Sequence, residues 1–282
     1  MNIINDPLAL QRTCLNWRSE GLVVGLVPTM GYFHAGHLSL MDYARSRADR
    51  LVVSLFVNPT QFGPNEDLSR YPRDPERDAA LAREHGVDLL FTPEPGVMYA
   101  PDHATWVEVP TLARGLCAAS RPVHFRGVAT VVSKLFLLTL PGFAVFGEKD
   151  FQQLALIRRM VRDLNFPLEV VGRPIVREAD GLALSSRNVN LTPEERRAAP
   201  AIRQGLLAAA DWVRGGVRTS GELTTRLRAF YAERLPMSRL DYAEIVDPDS
   251  MEPLAEIPGR ALLAVALHMS RARLIDNILL GD

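Results

Sequence analysis

Apolar positions in the first half of the chain come in runs. Residues 22–27 read LVVGLV and residues 51–57 read LVVSLFV. Unbroken apolar runs of this length suit strands buried on both faces, as in a parallel sheet. Pro28-Thr29-Met30-Gly31 closes the first run and Asn58-Pro59 the second. Between them Leu38, Met41 and Ala44 recur at helical spacing. Further on, the pattern predicts a helix over 78–85, a strand over 87–91 stopped by Pro93, and a long apolar helix over 127–138. It then predicts a strand over 143–146, a helix over 151–162 and a strand over 168–171. Alternating strands and helices of these lengths predict an α/β fold with a parallel, doubly wound sheet. Such sheets bind ligands beyond the carboxyl ends of their strands. The loops opening at Pro28, Asn58 and Gly147 are therefore where chemistry is expected.

The pattern changes after Asn190. Thr192-Pro193-Glu194-Glu195 combines an N-cap, a first-turn proline and acidic first-turn residues. Two helices follow to about residue 235, separated near Gly215-Gly216, and residues 241–246, 261–267 and 271–276 read as short strands. This order of elements predicts a second, smaller α+β domain. The expected division is 1–175 and 176–282. No internal repeat or low-complexity segment appears.

Composition narrows the class. With 47% hydrophobic residues in 282, a sizeable core can form. Lysine plus arginine number 32 against 33 acidic residues, a formal charge of -1, which argues against nucleic acid or an acidic membrane surface as partner. Cys14 and Cys117, far apart, suggest plain thiols in a reducing compartment rather than a disulfide framework or a zinc site. No apolar stretch of about 20 residues suggests a membrane span, and the first residues lack the pattern of a signal peptide. The expected location is cytoplasmic.

Chemistry concentrates at His34-Ala35-Gly36-His37, between the first strand and the first helix that follows it. Amides at a helix start and the helix dipole favour an anion there. Two imidazoles three residues apart can donate to phosphate and move protons near neutral pH. Gly31 and Gly36 allow a ligand to approach the backbone. A helix cap with two incidental histidines is the plain alternative. Neither a G-x-x-x-x-G-K-[ST] loop nor a G-x-G-x-x-G turn is present, so any nucleotide is held by other means. Gly147-Glu148-Lys149-Asp150 follows the 143–146 strand, where Lys149 could neutralise phosphate charge; a solvated charged loop fits equally. Leu184-Ser185-Ser186-Arg187, preceded by Asp180-Gly181, offers hydroxyls and a guanidinium as an anion grip, or an ordinary serine turn with a surface arginine. Gln61 and Gln153 are placed to read hydroxyl or carboxylate groups, or to be surface amides. The stretch 118–127, with Arg121, His124 and Arg126, reads as a basic loop or lid.

Together these residues form a recognisable set. Pro28-Thr29-Met30-Gly31, His34-Ala35-Gly36-His37 and Phe56-Val57-Asn58-Pro59-Thr60-Gln61-Phe62 resemble the N-terminal half of the pantothenate synthetase family. So do Arg121-Pro122-Val123-His124-Phe125-Arg126-Gly127, Gly147-Glu148-Lys149-Asp150-Phe151-Gln152-Gln153 and Asp180-Gly181-Leu182-Ala183-Leu184-Ser185-Ser186-Arg187-Asn188. Arg273-Leu274-Ile275-Asp276-Asn277 resembles the family's closing motif. The matches run in order over nearly the whole chain.

The resemblance implies a Rossmann-like nucleotidyltransferase domain with a smaller C-terminal domain closing over the active site, as a homodimer. It implies that ATP and (R)-pantoate form pantoyl adenylate and pyrophosphate, and that β-alanine then yields pantothenate and AMP, with Mg2+ accompanying ATP. The implied catalytic residues are His37, His34, Lys149 and Arg187. ATP contacts are implied for Met30, Gly31, His34, His37, Gly147, Glu148, Lys149, Asp150, Val176, Leu184, Ser185, Ser186 and Arg187. Substrate contacts are implied for Met30, Gln61, Gln153, Asn58 and Arg121. No acidic pair stands out as a metal site. Two stretches depart from the family pattern: Tyr32-Phe33, where a small residue and Leu are more usual, and His268-Met269-Ser270 before the closing motif. The alternative is another nucleotidyltransferase with the same histidine turn that adenylates a phosphate substrate.

Overall fold

The structure, a computed structural model, describes residues 1–64 and 66–281. In chain order the strands and helices are β1 (Asn2–Ile4), α1 (Pro7–Ser19), β2 (Val24–Thr29), α2 (Ala35–Arg45), β3 (Arg50–Leu55), α3 (Pro75–Glu84) and β4 (Leu89–Phe91). Then come α4 (Pro95–Met98), α5 (Leu116–Ser120), α6 (His124–Thr139), β5 (Phe143–Gly147), α7 (Phe151–Asp163) and β6 (Glu169–Arg173). The last are α8 (Pro193–Ala198), α9 (Ala201–Arg214), α10 (Ser220–Arg234), β7 (Arg239–Val246), β8 (Ala261–His268) and β9 (Arg273–Leu280). Among the described residues, no helix is long and apolar enough to cross a membrane.

The chain divides into two compact units. The first holds residues 1–109, 121–148 and 156–174; the second holds 110–120, 149–155 and 175–282. A single cut in the sequence does not describe this division. Two short segments that precede residue 175, one on each side of α6 and β5, belong with the C-terminal unit.

The first unit is built on a six-stranded, all-parallel sheet in the order β1-β4-β3-β2-β5-β6. Its core shows why the strands read as unbroken apolar runs. Val27, Leu51, Val53, Leu90, Phe143 and Val145 pack with Leu40, Met41 and Ala44 of α2 on one face. Their neighbours Leu26, Val52, Leu89 and Ala144 are equally buried, and because successive side chains alternate across a sheet they point to the other face. Helices α1 and α6 pack together and against β2. The doubly wound parallel sheet expected from the sequence is present.

Strand β2 runs through Pro28 to Thr29, two residues past the expected end. Gly142 N–H donates to Val24 O and Phe56 N–H donates to Thr29 O, so even-numbered residues face β5 and odd-numbered ones face β3. Pro28 falls on the β5 side, beyond the last paired residue, Leu26. Its missing N–H costs the ladder nothing. From β2 the chain steps one way to β3 and β4, and later the other way to β5 and β6. The strand order therefore reverses between β2 and β5, the switch point at which such sheets open a crevice.

The second unit carries a three-stranded antiparallel sheet, β7-β8-β9. Its core joins Leu263, Val265 and Leu267 to Ile202 and Leu206 of α9 and to Leu223 and Leu227 of α10. The expected cap is present as a reciprocal box. Glu195 N–H donates to Thr192 Oγ1 at 3.2 Å, and Thr192 N–H donates to Glu195 Oε2 at 2.9 Å. The other carboxylate oxygen accepts from Ser270 N–H at 2.7 Å. That contact ties the departing His268-Met269-Ser270 stretch to α8.

Candidate active site

At the end of β2 the chain makes a tight left-handed turn: Gly31 has φ 83° and Tyr32 φ 53°. A non-glycine residue in this region carries roughly 1 kcal/mol or more of strain. Asp78, buried in the first turn of α3, accepts N–H from Tyr32 at 2.6 Å and from Phe33 at 2.7 Å. Burial pushes this carboxyl above its usual value, while the two N–H donors pull the other way. Sequence reasoning missed Asp78, which reads as an ordinary first-turn acid of an amphipathic helix.

His34 is the N-cap of α2. Its Nδ1 accepts Gly36 N–H at 3.1 Å, and His37 Nδ1 accepts His34 N–H at 3.4 Å. The ring centroids lie 4.1 Å apart. Each Nδ1 serves as an acceptor, so each neutral ring carries its proton on Nε2. The expected helix cap is present, as a reciprocal box between His34 and His37. The same hydrogen bonds that cap the helix set both rings as Nε2–H donors beside a helix N-terminus.

A second group in the first unit is built around the turn after β3. Asn58 Nδ2 donates to Gln61 Oε1 at 3.1 Å and to Gly127 O at 3.2 Å, while Asn58 Oδ1 accepts from the Thr60 hydroxyl at 2.9 Å. Gln61 Nε2 lies 3.0 Å from Met30 Sδ, a weak acceptor. Met30, Asn58 and Gln61 are therefore in one contact network. Helix α6 comes very close to this turn: a Cβ on Gly127 would stand 2.5 Å from Thr60 O and 2.6 Å from Gln61 N.

Helix α6 begins at His124, not at Gly127, and the stretch expected as a loop or lid is packed. Arg121 Nε and Nη2 donate to Glu66 Oε2 at 2.8 and 2.5 Å, and Nη2 donates to Gln61 O at 3.2 Å. His124, buried, donates from Nδ1 to the same carbonyl at 3.0 Å and leaves Nε2 to accept from Arg121 Nη1 at 3.2 Å. Burial works to raise the Glu66 carboxyl, but the Arg121 contacts outweigh it and hold the group below its usual range. Arg121 thus grips the Gln61 backbone from protein acceptors.

In the second unit, Val176 and Leu184 are brought together across a small hairpin, Leu184 N–H donating to Val176 O at 3.0 Å, with its tight end at Gly181, φ 92°. Ser185 caps the short helical turn Ser186–Asn190, its Oγ accepting Arg187 N–H at 3.2 Å. The expected serine turn is therefore real, and it sets the start of the segment that carries Arg187. Lys149 follows β5 by two residues. Its Nζ lies 3.3 Å from Asp150 Oδ2, and its carbonyl accepts from Asn277 Nδ2 at 3.0 Å. Asp276 accepts a bidentate pair from Arg177 at 2.7 and 2.9 Å. Two residues of the closing motif thus fasten the Lys149 backbone and the Val176 hairpin.

The two adjacent glutamines of α7 differ in their surroundings. Gln153 is half-buried. Gln152 is buried; its Nε2 donates to Leu112 O and Arg114 O at 3.0 and 3.1 Å, and its Oε1 accepts Cys117 N–H at 3.1 Å. Gln152 therefore holds residues 112–117 in the C-terminal unit. Sequence reasoning had no signal for this, because both glutamines sit in the same motif.

A doubly wound parallel sheet with paired imidazole donors on the helix that follows its switch-point strand defines a protein of the nucleotide-binding α/β class. The chain belongs to the pantoate–β-alanine ligase family, whose sequence profile matches residues 2–279. It is 60% identical to the pantothenate synthetase of Nitratidesulfovibrio vulgaris (strain Miyazaki F), over 100% of this chain and 99% of the relative. It is 61% identical to that of Solidesulfovibrio magneticus over the same shares. Among solved structures, pantothenate synthetase from Thermus thermophilus superposes with a TM-score of 0.90 at 48% identity, covering 99% of both chains. The pantoate–β-alanine ligase of Francisella tularensis, crystallised with β-γ ATP and β-alanine, gives 0.80 at 33% identity, covering 99% of this chain and 97% of that one.

Proposed function

We propose that this chain ligates (R)-pantoate and β-alanine to pantothenate, consuming ATP and releasing AMP and pyrophosphate. The observation that carries the proposal is the histidine turn with both rings set as Nε2–H donors, in a chain of this family. In the first step a pantoate carboxylate oxygen attacks the α-phosphorus and pyrophosphate leaves. Negative charge builds between two anions, so donors fixed beforehand stabilise the transition state more than the ground state. His34 and His37 fill that role, with His37 the leading donor. Lys149 and Arg187 supply positive charge to the phosphates. In the second step the neutral amine of β-alanine attacks the acyl carbon of the adenylate and AMP leaves. An acyl phosphate is already activated, so positioning does most of the work.

Gln61 and Gln153 are assigned to pantoate, with Met30 against its methyl groups. Asn58 orients Gln61, and Arg121 enters through its hold on the Gln61 carbonyl. Met30, Gly31, Gly147, Glu148, Asp150, Val176, Leu184, Ser185 and Ser186 are assigned to the nucleotide. Mg2+ accompanies ATP in this proposal. Among the described residues no group of three or more His, Cys, Asp or Glu side chains is placed to hold a metal ion. Its ligands are assigned to phosphate oxygens and water, and no step is routed through it. A cytoplasmic homodimer completes the proposal.

The test is AMP and pyrophosphate release by purified protein with ATP, magnesium, pantoate and β-alanine, omitting each acid in turn. The expected result is pyrophosphate release that needs pantoate and AMP release that needs both acids. No acid-dependent release by folded, ATP-binding protein overturns the substrate assignment.

A further inference from the structure

Asp78 is a buried carboxylate for which the proposed reaction has no direct use. It is 1% exposed in the first turn of α3, and each of its oxygens accepts one N–H, from Tyr32 and from Phe33. Those amides immediately precede His34. The turn they form is left-handed at both Gly31 and Tyr32. A Cβ on Gly31 would stand 3.0 Å from Asp78 Oδ2 and 3.2 Å from the Leu55 side chain, so the turn is enclosed by the carboxylate and by the last residue of β3. Tyrosine has no intrinsic preference for this conformation, so a group outside the turn must impose it. Two charge-assisted bonds to consecutive amides do so.

The histidines downstream depend on this turn. Phe33 is buried, its ring 5.7 Å from that of His37, and the His34 amide is the donor that occupies His37 Nδ1. If the turn relaxed, the His34 amide would leave His37 Nδ1 and the ring would no longer be held in one tautomer.

We propose that Asp78 is the positioning residue of the histidine turn, its two carboxylate oxygens fixing Tyr32 and Phe33 so that His34 and His37 are held as Nε2–H donors. The proposal rests on the catalytic assignment of the two histidines made above. It gives the Tyr32-Phe33 departure a consequence: with tyrosine rather than a smaller residue in the turn, the carboxylate is needed to hold it.

The experiment compares wild type, Asp78→Asn, Tyr32→Gly and the double variant in the full chain. Asp78→Asn keeps the shape but turns an NH2 group toward one of the two amides. The readouts are kcat and KM for pantoate-dependent pyrophosphate release, thermal unfolding, and long-range proton–nitrogen NMR of the histidine rings. The NMR signal does not depend on which acid is the substrate. Failure of wild type to turn over pantoate therefore tells against the function, while the ring spectra still test Asp78.

Asp78→Asn is expected to lower kcat at least tenfold, to leave KM for pantoate within about twofold, and to mix the tautomers of His34 and His37. Adding Tyr32→Gly is expected to recover most of the lost kcat, since glycine adopts the turn unaided. A purely structural role would lower the melting temperature and the folded fraction but leave kcat per folded molecule and the ring spectra unchanged. That outcome overturns the proposal. If Asp78→Asn does not fold, the double variant decides: folded and active supports the proposal, and unfolded or inactive sinks it.

Discussion

The two histidines of the α2 turn have the same tautomer for the same reason, yet they are not interchangeable. His34 accepts from an amide two residues ahead and caps its own helix, whereas His37 accepts from the amide of His34 and packs against Phe33. Replacing His37 removes a preorganised donor and the reciprocal half of the capping box, but leaves His34 Nδ1 accepting from Gly36 N–H. His37→Ala is expected to lower kcat about 10²–10³-fold with the fold intact; steady-state kinetics beside a circular dichroism spectrum checks it, and wild-type turnover takes His37 out of the mechanism. Gln153 carries a different expectation. If it reads pantoate by a buried hydrogen bond, its loss weakens binding. Gln153→Ala should raise KM for pantoate and leave KM for ATP nearly unchanged; the reverse pattern contradicts the assignment. The histidines were legible as a pair from their spacing. Asp78 was not, because an acidic residue in a helix's first turn is what solvent exposure alone would place there, and only the fold shows the carboxylate buried against two amides.

At the scale of elements, a close contact between α6 and the turn after β3 positions a proposed substrate residue. It exists because position 127 has no side chain. Alanine there would gain about 1 kcal/mol of helix propensity over glycine. A methyl group 2.5 Å from Thr60 O and 2.6 Å from Gln61 N meets backbone, which cannot rotate away, and such overpacking costs about 1–3 kcal/mol. The clash wins. Gly127→Ala is expected to lower stability in urea and to raise KM for pantoate as Gln61 and Asn58 move apart. A variant more stable than wild type shows that the helix shifts freely. The sequence pattern located α6 through its apolar run but started it three residues late. The polar residues His124 and Arg126 look like a loop, and His124 is buried with its Nδ1–H donated to the Gln61 carbonyl and its Nε2 accepting from Arg121. The two N-terminal elements escaped for simpler reasons. Strand β1 has three residues, too few for any periodicity, and α1 announces itself only by Asp6 capping and Pro7 at its start.

At the scale of the whole molecule, several carboxylates are held below their usual pKa by partners distant in sequence, and each contributes stability that acid removes. Glu195 is the clearest. Burial works to raise its pKa, and the N–H groups of Ser270 and Thr192 more than reverse that, so the folded value lies below the unfolded one. A group depressed in this way contributes stability that is fully present above the unfolded value of about 4.3 and is lost as pH falls through the folded value. The melting temperature is therefore expected to drop as pH falls below about 5, and to drop less steeply in Glu195→Gln, whose side chain does not ionise. Equal slopes in the two proteins assign the acid transition to other groups.

The amino-acid sequence by itself determined the parallel α/β class, the second group of helices and strands, the Thr192 cap and the motif order that marks the family. Each of these is a local regularity: an apolar run, a helical spacing, a cap preceding a proline. The tertiary structure alone decided which unit residues 110–120 and 149–155 join, and which of Gln152 and Gln153 is spent on holding the backbone. It also decided that Arg121 grips Gln61 and that Asp78 governs the histidine turn. These depend on which polar groups lose water together and must satisfy one another. That pairing joins residues tens of positions apart, and no local pattern encodes it.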